Sequence, residues 1–501
     1  MTAARDARAR LRRPAALLAF WLATAAGLAA GTAGTGARPA EAAPAADTVA
    51  AGELHERITS DADPTASYAL LLPPGYRGRI PRPLLMVLDP RGRAVRALEI
   101  FRDAAARRGW IAMSSYDTRS DTTGDGNERA LRAMIADANA RLAVDGRRLY
   151  LAGFSGTARF GWLVASSLRD HLAGLVGVGA GFPAALEQVM RADAATLPET
   201  FSFWGGAGRL DFNFDEVRRL DDVLDEVGVR HRIEFYPGGH GWLPREEADR
   251  AVDWLELQAM RDSLVPVDSA LVDSLHRQAL AAARAADAAG RPVEARERWR
   301  RVAEDFGGLR PVAEARSRAR SLAGHPAVER HRERIRREAR EREAFLAKAG
   351  RVLGRVGTGP GELSPAEAAG ELGLEELRRR ADVRSDSADA LAAGRLLEQV
   401  YVQASFYLPR RALRAGDPGR ALAFLELAER ARPGRGRTRW FRARALAQEG
   451  RSREAMETLR GLVDGGFPRS ALRSDPWLEP LRGEDGWEEL VEEPPSRPAG
   501  G

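Results

Sequence analysis

A chain of 501 residues exceeds what one ordinary hydrophobic core holds together, so two or three domains are expected. Apolar residues at 44% and charged ones at 30% suit folded, water-facing material, and the lack of any cysteine excludes disulfides, thiolate metal sites, cysteine nucleophiles and a lipid carried on an amino-terminal cysteine. The net charge of +6 comes from arginine, Lys348 being the sole lysine; those arginines are interleaved with Asp and Glu and form no clustered basic face, so no nucleic-acid partner is expected.

At the amino end Arg5, Arg8, Arg10, Arg12 and Arg13 precede an uncharged Ala/Leu-rich run over residues 14 to 36, followed by the small-residue pattern Ala40-Glu41-Ala42. A basic stretch, an apolar stretch and small residues in that order predict a signal peptide cleaved between residues 42 and 47. An uncleaved membrane anchor is the alternative, and Arg12-Arg13 also permits twin-arginine export. No later run is long and apolar enough to span a bilayer. The mature chain is therefore expected outside the cytoplasm, periplasmic or secreted, without a stable membrane span.

Short apolar runs then alternate with helical patterns. Strands are predicted at residues 68–72 ("YALLL"), 84–88 ("LLMVL"), 111–115 ("IAMSS"), 149–152, 175–178, 201–204 and 233–236, and helices at 94–108, 128–142 and 214–227. That alternation predicts a mainly parallel sheet with helices on both faces, in which function collects at the carboxyl ends of the strands. One such end is "YLAGFSGTARF", where Ser155 follows an apolar run and opens a helical pattern. A serine hydroxyl becomes a nucleophile only beside a base, which in turn needs an orienting acid. Downstream, "FWGGAGRLDFNF" presents Asp211 and "RIEFYPGGHGW" presents His240, each just past a predicted strand. Bland alternatives exist: a plain Gly-rich turn at Ser155, a helix cap at Asp211, an ordinary loop residue at His240.

Residues 65 to 260 resemble the α/β-hydrolase superfamily, particularly its dienelactone-hydrolase and feruloyl-esterase-like branch, through "LLLPPGY", "LLMVLDPRGR", "AGFSGTARF", "GGAGRLDFNF" and "GGHGW". The resemblance implies that Ser155 is the nucleophile, His240 the general base and later acid, and Asp211 the group that holds the imidazole. It also implies an oxyanion hole with one donor at the Gly156 N–H. Relatives carry His-Gly where this chain has Asp89-Pro90-Arg91, and Pro90 has no N–H, so Arg91 is the candidate for the second donor. A further departure is Thr157 in place of the last glycine of G-x-S-x-G. No cofactor is implied. The run "DTTGDGNERALR" opens like a calcium loop with Asp121, Thr123, Asp125 and Gly126, but Arg132 stands where a bidentate Glu is needed, so no metal is expected.

After residue 260 the strand pattern stops. Leu264, Val267, Leu271 and Leu275 follow a helical stripe, as do Ala295, Trp299, Val302 and Phe306. Gly416, Ala421 and Leu425 recur 34 residues later as Gly450, Ala455 and Leu459, and Gly290, Ala295 and Trp299 keep the same internal spacing. This period resembles the tetratricopeptide repeat, with Pro409 a departure from it. The "ERHRERIRREAREREAF" stretch reads as a solvated helix, and the Gly/Pro-rich run from Gly357 as a linker or helix junction. The expected organisation is a signal and linker (1–46), an α/β-hydrolase domain (47–262), a helical segment (263–356), helical repeats (357–491) and a disordered tail (492–501).

Two functions follow. One is an exported serine hydrolase that cleaves a small-molecule carboxylic ester through an acyl-enzyme, with amide cleavage and acyl transfer open to the same residues. The other is a hydrolase-like domain of little or no turnover on a helical scaffold that binds a protein or peptide partner.

Overall fold

A computed structural model describes residues 50–120, 125–168, 171–192, 197–357, 359–381 and 387–492. The expected export signal, Asp121 and Thr123 of the calcium-like loop, and the expected tail beyond residue 492 lie outside the described residues. The chain forms two compact units, Met1–Glu333 and Arg334–Gly501.

The first unit is built on β1 (Leu54–Thr59), β2 (Ser67–Leu71), β3 (Arg82–Leu88), α1 (Ala94–Arg108), β4 (Ile111–Ser115), α2 (Gly126–Arg141), β5 (Val144–Phe154), α3 (Gly156–Ser167), β6 (Gly174–Val178), α4 (Ala184–Ala192), β7 (Ser202–Gly208), α5 (Phe214–Val227), β8 (Arg230–Tyr236) and α6 (Arg245–Arg261). The eight strands lie side by side in the order β1-β2-β4-β3-β5-β6-β7-β8. Only the pairings of β2 with β1 and with β4 are antiparallel. The parallel strands are apolar on both sides because both faces are covered. Trp162 of α3, Leu131 of α2 and Leu220 of α5 pack on one face; Phe101 of α1 and Leu255 of α6 pack on the other. This is the expected mainly parallel sheet with helices on both faces, and the described residues after it are helical. The strand absent from the sequence expectation is β1, whose only apolar residues are Leu54 and Ile58; it is an edge strand held mainly by its backbone pairing to β2.

Three more helices belong to the first unit: α7 (Ser269–Ala288), α8 (Pro292–Asp305) and α9 (Ala313–Ala323). The expected domain boundary near residue 262 thus falls inside this unit, and the reason is ionic as well as apolar. Arg301 of α8 donates to Glu234 of β8 at 2.6 Å and to the Ile233 carbonyl at 3.0 Å. Arg232 reaches Asp305 at 2.9 Å, and Trp254 of α6 donates its indole N–H to the same carboxylate at 2.6 Å.

The division between the units falls within α10 (Pro326–Arg355). The second unit is all-helical among its described residues. Gly416, Gly450 and, in the first unit, Gly290 end helices with φ of 73°, 79° and 64°, while Ala421, Ala455 and Ala295 are fully buried. The recurring glycines supply the left-handed turn, and the alanines sit in helix packing interfaces. Pro409 follows a wide π-helical turn, Gln403–Tyr407, which loosens the helical ladder where the ring would otherwise obstruct it. The run after Gly357 ends in a capping box, Ser364 with Glu367, that starts the helix Pro365–Leu372.

Candidate active site

Ser155 follows β5 and precedes α3 with φ 57° and ψ −122°, a backbone conformation costing about 1–3 kcal/mol for a residue with a side chain. The turn persists because its surroundings determine it. The Ser155 N–H donates to the Val178 carbonyl at 2.8 Å. At Gly153 a Cβ would meet the Thr157 carbonyl at 2.5 Å, so only glycine fits. Thr157, the departure from G-x-S-x-G, is fully buried and makes its hydroxyl part of the turn. It donates to the Leu88 carbonyl of β3 at 2.5 Å and accepts the Phe154 N–H at 3.1 Å. Thr157→Val keeps the shape and strands both groups, so we expect a loss of about 1–3 kcal/mol, read as a lower denaturant midpoint at unchanged slope.

Asp211 and His240 follow β7 and β8, neighbours in the sheet, and the three side chains meet. His240 Nε2 lies 3.0 Å from Ser155 Oγ, and His240 Nδ1 lies 2.9 Å from each Asp211 carboxylate oxygen. Asp211 is fully buried and also accepts the Asn213 N–H at 2.7 Å. It makes no helix cap: Asn213 occupies the N-cap position of α5, without a side-chain cap bond. The imidazole lies between Phe154 and Phe212, at ring distances of 4.6 and 4.2 Å. Gly179, at φ 64°, leaves the space that a Cβ would take from Phe154, Asp211 and His240.

The expectation for Arg91 is corrected. Its N–H donates to the carboxylate of Asp89 at 2.8 Å, so the second donor expected there is already spent on an intramolecular acceptor. Asp89 is fully buried and gathers the Arg93 guanidinium at 2.9 Å and the Trp242 indole N–H at 2.9 Å. Burial alone would raise this carboxyl, but Arg93, Trp242 and the Arg91 N–H outweigh it and hold it below the usual carboxylate range. The Gly156 N–H, the first of α3, has no acceptor among the described residues. Against Gly156 lies Ser120, close enough that a Cβ at Gly156 would collide with its Oγ. The Ser120 N–H donates to the Pro90 carbonyl at 2.9 Å, which fixes the residue beside the β3 loop. Among the described residues its hydroxyl has no partner.

No family model matches the chain, and no curated protein does. Several solved structures are similar to part of the chain. A ferulic acid esterase is 15% identical, with 40% of this chain and 97% of that one covered and a TM-score of 0.35. A fluorophosphonate-binding serine hydrolase of Staphylococcus aureus is 14% identical, with 38% and 92% covered and a TM-score of 0.33. An esterase of Pyrobaculum calidifontis is 15% identical, with 42% and 86% covered and a TM-score of 0.32.

Four residues of this site receive no role from the sequence pattern, although Asp89, Asn213 and Trp242 lie within its motifs; the fourth is Ser120. Asn213 donates its amide to the Gly179 carbonyl at 2.8 Å while its N–H binds Asp211, tying the acid to the end of β6. Trp242, two residues past His240, ties the histidine loop to the β3 loop through Asp89. Among the described residues no group of three or more His, Asp or Glu is placed to hold a metal ion. No described helix is long and apolar enough to cross a membrane.

Proposed function

We propose that this chain is a serine hydrolase that cleaves carboxylic esters through an acyl-enzyme. What supports the reading is one continuous line of contacts, Ser155 Oγ to His240 Nε2 and His240 Nδ1 to Asp211, on a strained turn at the carboxyl ends of three strands. Ser155 Oγ attacks the ester carbonyl carbon and its proton passes to His240 Nε2, while the carbonyl π electrons move onto oxygen. Asp211 stabilises the imidazolium and fixes its orientation without taking the proton. When the C=O re-forms, the alcohol leaves with the proton from Nε2. A water then repeats the sequence on the acyl-enzyme and releases the acid.

The negative oxygen of the tetrahedral intermediate meets the Gly156 N–H at the amino end of α3, where the helix dipole adds to the donor. The Ser120 hydroxyl is the second donor in this reading, replacing the N–H that Arg91 has given to Asp89. Ser120→Ala is expected to lower kcat about tenfold to a hundredfold with KM little changed, because the interaction exists only in the transition state. Equal kcat in the variant would return the role to another group. Export rests on residues 1–46, as the sequence suggests; secretion of a reporter fused to those residues tests it. The helical repeats offer a surface for a protein or peptide partner. The two readings are compatible; a Ser155 that does not react with a fluorophosphonate would leave only partner binding, and that labelling is the deciding experiment.

A further inference from the structure

Away from Ser155, the helices that close the first unit leave a cleft of about 730 Å³. Its lining combines the small residues Ala303, Gly307, Gly308 and Ala319 with Arg261, Arg300, Arg316 and Arg320 and a single acid, Glu304. Glu304 is taken by Arg300, at 3.0 Å. Arg261 donates to the Glu304 backbone carbonyl at 2.9 Å and has no carboxylate in ion-pair contact among the described residues.

Arg316 and Arg320, one turn apart on α9, likewise pair with no carboxylate among the described residues. On the same helix Arg318, turned another way, is paired with Asp287 at 3.0 Å. Of the four arginines that line the cleft, Arg300 is neutralised by Glu297 and Glu304, and Arg261, Arg316 and Arg320 are not in ion-pair contact among the described residues. Burial lowers the Arg261 pKa, and the like charges of Arg230 and Arg316 add to that while Asp262 and Asp305 oppose it.

We infer that the cleft bounded by Arg261, Arg316 and Arg320 binds a small anion of two or more negative charges, through phosphoryl or carboxylate oxygens. Guanidinium groups present paired N–H donors that match such oxygens two at a time, and three of them without carboxylates can share one multivalent ligand. The volume suits a ligand of metabolite size. The lining contains no aromatic ring, so recognition falls on the charged head of the ligand and not on a stacked base.

The test is isothermal titration of the full-length protein with inorganic pyrophosphate and, separately, with citrate, at ionic strength matched by sodium chloride. Saturable binding of either probe in about the millimolar range or tighter is expected. The Arg316→Gln/Arg320→Gln variant should bind about tenfold or more weakly. A control, Arg336→Gln/Arg340→Gln on α10, removes the same charge outside the cleft lining and should bind as the parent does. Preference for pyrophosphate assigns the cleft to phosphoryl groups, and preference for citrate assigns it to polycarboxylates. No binding of either probe, or equal weakening in both variants, overturns the proposal. Both altered positions in α9 are exposed, and a far-ultraviolet circular dichroism melt identical to the parent's separates lost binding from lost folding.

Discussion

Ser155→Ala is expected to remove fluorophosphonate labelling entirely and to lower kcat on short and medium-chain p-nitrophenyl esters by about ten-thousandfold or more. The size follows from the arrangement. The hydroxyl is the atom that would bond to the carbonyl, and a nucleophile, base and acid that act in series lose nearly everything when one is removed. Asp211→Asn should retain the buried contact but leave the imidazole in the wrong tautomer, with a loss of about ten-thousandfold in kcat. The variants separate two failures: a parent that labels but turns over no ester keeps the activated serine and changes the substrate. A parent that neither labels nor turns over removes the hydrolase reading altogether. Ser155→Ala should fold about as stably as the parent, since the one group that loses its partner, His240 Nε2, belongs to a partly exposed side chain that water can reach.

Ending the chain at Asp262 is expected to cost the sheet domain several kcal/mol, whereas ending it at Glu333 should leave the first unit's denaturant midpoint near that of the full chain. Truncation at 262 removes Arg301 from Glu234 and Asp305 from both Arg232 and Trp254. It also exposes Leu257 and Met260 by removing Val272, Trp299 and Val302, which cluster with them. Within the intact chain, Arg301→Ala alone should cost about 2 kcal/mol, between the small worth of exposed pairs and the larger cost of stranding a fully buried charge. The pH dependence carries a sign. Burial pushes Glu297 up, but Arg300 and Arg301 more than compensate and hold it at about 2, below its ordinary 4.5. A carboxyl depressed in the folded state contributes stability that is complete above its unfolded value and is lost as pH falls from about 4.5 towards 2. Glu234, also held below the usual range by Arg301 and Arg232 against its burial, acts in the same direction. Arg301→Ala should therefore flatten the acid limb of the stability curve, and an unchanged limb would show that this network does not couple folding to pH.

What the sequence by itself determined are the features written in local pattern. Apolar runs of four or five residues between glycine-rich turns locate seven of the eight strands, because a strand buried on both faces needs no polar alternation. Glycines also precede Ser155, Asp211 and His240 at the strand ends, and at Gly153 and Gly208 a Cβ would meet backbone atoms; the order of the three along the chain was therefore legible. The 34-residue recurrence of Gly416 and Ala421 was legible for the same reason: a left-handed helix end and a close helix approach each restrict the residue locally. Tertiary structure alone decided the rest. Whether Arg91 has an N–H to offer depends on how the Asp89 carboxylate folds back, and whether Ser120 lies beside Gly156 depends on a contact between the loops that follow β3 and β4. The edge strand β1 carries too few apolar residues to announce itself and exists through pairing with β2. Residue 262 lies inside the first unit, where Arg301 and Asp305 find partners on β8 and α6 tens of residues away, and no periodicity along a chain encodes contacts formed between distant segments.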